Sequence, residues 1–158
     1  NMSTYSVVTG AGVDAYPAFP SAPIFAIDGK VDFSKVNSGS GTVQNDIITV
    51  LQIPANTLVL AVAYKTTTVS SNLADVDIGD GDVRDGYVDG LDMRSTLKDG
   101  CSWVTTFNEA TPNTTAEGMS LGKFYTTADT IDLKQNTNAT IVTGVIWLRA
   151  ICISMNIG

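Results

Sequence analysis

Short runs of β-branched and apolar residues alternate with clusters of Gly, Pro, Asn and Asp along the whole chain, and no segment sustains a 3.6-residue hydrophobic repeat. That pattern predicts strands and tight connections, not helices. TVQNDIITVLQIP at 42–54 is apolar on both alternating faces, as a strand buried between layers should be, and Pro54 ends it. LVLAVAYKTTTV at 58–69 places Leu58, Leu60, Val62 and Tyr64 on one face and Val59, Ala61, Ala63 and Lys65 on the other. The Ala55-Asn56-Thr57 link between these two runs is compatible with a hairpin. Further strands are expected over Tyr5–Val8, ADVDI at 74–78, SWVTTF at 102–107, GKFYTT at 122–127 and DTIDLK at 129–134. In the last apolar run, 139–156, Val145, Trp147, Ile151 and Ile153 share one parity while Ile146, Leu148 and Cys152 share the other. Neither face of that strand is written for water, and Arg149 within it needs a partner.

The sum is an all-β, single-domain antiparallel β-sandwich or jelly roll of about eight strands. A different regime precedes it. Pro17, Pro20 and Pro23 recur every three residues, and each excludes the helical region for its predecessor, so the segment before them and around them is extended. Three residues per turn is also the polyproline II repeat, which lines up Tyr16 and Phe19 on one edge. The expected organisation is therefore an extended, Pro-rich N-terminal arm over 1–30 and a β-sandwich domain over 31–158.

Composition sharpens this. At 158 residues, with 44% hydrophobic and 16% charged residues, the chain is long enough to bury a continuous core. The formal charge of −7 is local: residues 75–92, DVDIGDGDVRDGYVDGLD, carry seven Asp against Arg84, or −6, leaving −1 for the rest. Six Lys and three Arg are scattered singly, which gives no footprint for nucleic-acid phosphates, and nucleic acid is not an expected partner. The 139–156 run is broken by Gly144, Arg149 and Ser154, so a membrane anchor is rejected. NMSTYSVVTGAG at the N-terminus lacks the charged start and apolar run of a signal peptide, which predicts synthesis in the cytoplasm. Cys101 and Cys152 have no paired spacing and are expected to be buried free thiols.

Most reaction chemistry is missing. The chain has no His, which removes the usual general base near neutral pH and the triads built on it. Gly10-Ala11-Gly12-Val13-Asp14-Ala15 fits G-x-G-x-x-A, but Tyr16 and Pro17 follow, and no helix N-terminus is available for a pyrophosphate. Gly118 to Phe124 is one residue short of a phosphate-binding loop and puts Phe124 where magnesium needs a hydroxyl. Asp77, Asp80, Asp82 and Asp85 are oxygen donors of the kind calcium takes, yet from Asp80 the EF-hand pattern fails at Arg84, Asp85 and Leu91. The stronger reading makes Asp-Gly at 80–81, 85–86 and 89–90 turn formers with most carboxylates in solvent. No catalytic residue, metal or cofactor is expected.

The runs IPANTLVLAVAYKTTT, ADVDIGDGDVRDGYVDGLD and FYTTADTIDL, with a closing apolar strand containing Cys152, resemble virion structural proteins of tailed bacteriophages, above all head decoration or cement proteins of marine and cyanobacterial phages. The likeness runs from about Val31 to the end. It implies a non-enzymatic β-sandwich or jelly-roll subunit, commonly a homotrimer, bound to the major capsid protein on the outer surface of the virion, where it bridges capsomers. Under it, the expected subunit or capsid contacts are Tyr16, Pro17, Phe19, Pro20, Pro23 and Phe25 of the arm, with Trp147 of the last strand. The rival is a phage tail or fibre module that binds host-surface glycans, for which Tyr87 beside the acidic turns is the hook.

Overall fold

The structure is a computed structural model, and it describes residues 4–6, 13–15, 24–70, 74–94, 96–103 and 122–155. Eleven strands are seen among them: β1 (Thr4–Ser6), β2 (Val13–Ala15), β3 (Ile24–Asp32), β4 (Ile47–Ile53), β5 (Thr57–Thr68), β6 (Asp75–Gly79), β7 (Val88–Asp92), β8 (Asp99–Trp103), β9 (Lys123–Tyr125), β10 (Asp129–Gln135) and β11 (Val145–Ser154). They form two sheets. One runs β1-β4-β10-β6-β7, with β1 and β4 parallel and every other pair antiparallel. The other runs β2-β3-β11-β5-β8, with β9 pairing the opposite end of the same edge of β5. Among the described residues no helix is long and apolar enough to cross a membrane.

The expected β-sandwich is present, with more strands than expected. β2, β3 and β7 are additional because prolines and Asp-Gly pairs around them read as arm and turns. β3 spans residue 30, so the boundary drawn there falls inside a strand held between β2 and β11. Extended backbone after Pro23 was legible; its pairing was not.

Inward side chains of both sheets make one core. Ile27, Val31, Ile146, Leu148 and Ala150 come from one sheet, and Ile48, Leu51, Ile78, Ile131 and Leu133 from the other. Burial along β11 alternates strictly, Ile146, Leu148, Ala150 and Cys152 being buried while Val145, Trp147, Arg149 and Ile151 face outward. Phe33 sits on the core with its backbone N–H on the Gly144 carbonyl at 3.0 Å. The sheets pack tightly at Gly29, where a Cβ would lie 2.7 Å from Leu51 Cδ2 and 3.0 Å from the Val50 carbonyl oxygen.

Two local expectations are corrected. Residues 54–56 do not close a hairpin: β4 and β5 belong to different sheets, and the link, with Asn56 at φ 56°, turns the chain from one layer to the other. Along β5 the alternation breaks at a bulge, where Ile151 and Cys152 of β11 pair with Ala61 and Val59 and leave Leu60 extra. Val59 and Val62 are thereby both buried.

Candidate interaction surface

The acidic stretch is not a row of solvated corners. After β6 the chain turns at Gly79, where a Cβ would meet the Val83 carbonyl oxygen at 2.1 Å, and it closes with Tyr87 N–H on Ile78 O at 2.9 Å. Asp80 organises this loop from a fully buried position. Its Oδ1 accepts the backbone N–H groups of Asp82 at 3.0 Å and Val83 at 2.9 Å, an Asx turn. Its Oδ2 accepts the Tyr125 hydroxyl at 2.8 Å and the Lys123 ammonium. Tyr125 in turn shares a 2.8 Å hydrogen bond with Tyr87. Burial lifts both phenols above their ordinary range, and the nearby Asp80 charge adds to the effect.

Asp-Gly at 89–90 is also not a turn. Val76 pairs with Leu91 and Ile78 with Val88, so Asp89 and Gly90 together oppose Asp77 in a β-bulge. Gly90 takes φ 66°, and its N–H points at Asp77 Oδ1 at 2.9 Å, an oxygen that also accepts from the Asn136 amide. Beside it, Asp132 accepts from Arg84 at 2.8 Å. Burial raises the Asp132 carboxyl above its ordinary value, opposed in part by the Arg84 charge.

The four aspartates weighed as calcium donors are thus dispersed. Asp77 holds the bulge, Asp80 holds the loop, the Asp82 side chain is 84% exposed, and Asp85 lies at the half-buried turn. Among the described residues no three metal-ligating side chains converge. Tyr87, the hook for a glycan site, is buried with its hydroxyl on Tyr125, so it offers no stacking face to a sugar.

Of the expected contact residues, Tyr16, Pro17, Phe19, Pro20 and Pro23 lie outside the described residues. Val13–Ala15, just before them and the last three residues of the G-x-G-x-x-A motif, form strand β2 and not the first turn of a helix. Phe25 points inward opposite Cys152 and packs against the core. Trp147 lies on the outer face of the six-stranded sheet, 36% exposed, with the Lys30 ammonium 5.5 Å from its ring centroid.

That outer face is graded along the strands, because residues opposite each other in an antiparallel pair share a face. Lys30, Trp147, Lys65 and Asp99 form one rung across β3, β11, β5 and β8. Asp28, Arg149, Ala63 and Cys101 form the next toward the end of β11. Arg149 finds its partner here: its guanidinium donates to both oxygens of Asp28, at 2.5 and 2.7 Å. Cys101 is exposed, contrary to expectation, because it sits outward on the β8 strand. Cys152 is buried as expected, and burial pushes its thiol up to about 12. Two rungs further, Ile153 stands opposite both Ile24 and Leu58, and Leu58 opposite Phe124 of β9. Ile24 is 62% and Phe124 47% exposed. Sequence reasoning missed this apolar rung, since neither β3 nor the place of β9 beside β5 could be read from local pattern.

No protein-family model matches the chain, and no curated protein matches it. The fold is shared with chains of phage capsid structures. A chain of the acidic stable capsid structure of Helicobacter pylori bacteriophage KHP30 aligns at TM-score 0.54 and 10% identity, over 91% of this chain and 94% of that one. One from the cyanophage Pam1 capsid asymmetric unit aligns at 0.57 and 15%, over 92% and 86%. One from the capsid of Ralstonia phage GP4 aligns at 0.56 and 9%, over 83% and 84%. At these identities the common property is the fold.

Proposed function

We propose that this chain is a structural subunit of a bacteriophage virion, a non-enzymatic cement or decoration protein. It binds the outer surface of the capsid, contacts the major capsid protein and bridges capsomers as a homotrimer, after synthesis in the bacterial host cytoplasm. The observation that carries this reading is a fold shared, over 83–92% of the chain, with chains from three phage capsids. The residue chemistry points the same way. The chain has no His, its Asp80 and Asp77 carboxylates are engaged in holding loops, and its conspicuous exposed feature is a broad sheet face.

A subunit of this kind acts through contact area, because rigid-body freedom lost on association costs roughly 4–15 kcal/mol for each event. Engaging several shell sites through one oligomer shares that cost. In this reading Tyr16, Pro17, Phe19, Pro20 and Pro23 supply contacts to the shell or to a neighbouring subunit. Electron microscopy of the intact particle tests the assignment. The expected result is two-layer β density of this shape on the outer shell, over or between capsomers; density confined to the tail refutes it.

A further inference from the structure

We infer that the outer face of the six-stranded sheet is the surface on which one copy of this chain docks a second, with the Ile24–Ile153–Leu58–Phe124 rung as its apolar anchor. The inference deepens the reading of the chain as a surface-acting subunit and rests on it for the role of the assembly, though not for the contact itself.

Three observations favour a second copy over a different partner. The first is the anchor. Four apolar side chains stand in register across β3, β11, β5 and β9, about 15 Å from end to end at normal strand spacing. Met155, 39% exposed, follows directly after β11. Continuous exposed apolar surface of this kind marks protein contact sites.

The second is charge. Although the chain carries −7, the charged positions of the four strands β3, β11, β5 and β8 on this face balance, with Asp28, Asp32 and Asp99 against Lys30, Lys65 and Arg149. Two copies therefore meet here without the like-charge repulsion that Asp82, Asp85 and Asp89 would impose at the opposite sheet. A face bearing both signs beside an apolar strip offers a second copy apolar contact together with charges of either sign to pair with.

The third is area. Four strands by the ten residues of β11 span roughly 20 by 33 Å, on the order of 600 Å², close to the ~800 Å² per partner of a standard interface. The apolar rung alone would be too small; with the charged rungs and Trp147 as its rim, the face is large enough.

Sedimentation velocity of the full chain across a dilution series tests this. Wild type is expected to sediment as an oligomer. Phe124→Asp and Ile24→Asp should each weaken association by roughly a hundredfold, while Asp82→Asn should leave it unchanged. Monomeric wild type at every concentration, or Asp variants that associate like wild type, overturns the inference. Wild type supplies a second measurement should a variant fail to fold. Cys101 lies on this face, so its reaction with a bulky maleimide should be slow in the oligomer and quicken on dilution, and a rate independent of concentration overturns the interface. Binding to phage heads is scored separately. A monomer that coats heads removes this interface and leaves the capsid reading standing, whereas an oligomer that ignores heads does the reverse.

Discussion

Asp80 shows how a residue can be readable in type and unreadable in role. Its place in an Asp-Gly pair predicted a turn, and a turn is what its Oδ1 makes with the N–H groups of Asp82 and Val83. Its burial followed from Lys123 and Tyr125, 43 and 45 positions away, which no local pattern could bring beside it. The two ends of this ion pair should respond unequally to mutation. Lys123→Met strands a fully buried carboxylate and should cost about 3 kcal/mol, whereas Asp80→Asn should cost less, since the Lys123 side chain is 20% exposed and reaches water. Urea unfolding measures both. Equal stability of Lys123→Met and wild type would mean that the network contributes nothing to the fold.

Elements were legible where hydrophobic runs were long and unbroken, as in β4, β5 and β11, and hidden where backbone irregularity did the work. The Asp89-Gly90 bulge disguised β7 as a turn, and Leu60, the extra residue of β5, shifted which valines face the core. Gly29 is the clearest case of an element set by its partner layer, since nothing local requires glycine in β3, while Val50 and Leu51 of β4 leave no room for a side chain. Gly29→Val should therefore destabilise the protein by about 2 kcal/mol through overpacking against a carbonyl that cannot move aside. Gly81→Ala, whose Cβ would meet nothing nearer than Asp129 Oδ1 at 3.8 Å, should stay within about 0.5 kcal/mol. Thermal melts of the pair separate the two, and equal melting temperatures would show that the layers part at Gly29 at little cost.

For the whole molecule, β-branched runs punctuated by Gly, Pro, Asn and Asp were enough for a two-layer all-β domain, and the missing His was enough to turn attention from catalysis to surface. Strand order was not legible, because every pairing except β2 with β3 and β6 with β7 joins strands that are not sequence neighbours. The outer sheet face inherits that blindness: Trp147 could be named from its own strand, while Ile24 and Phe124 join it only once β3 and β9 are placed beside β11 and β5. The role proposed for these surfaces is to hold a phage shell together. The most direct measurement is to add the purified chain to phage heads lacking it and record both bound protein and the temperature at which the heads rupture. Saturable binding to the head exterior and a higher rupture temperature are expected; heads that neither bind the chain nor gain stability would contradict the proposed role.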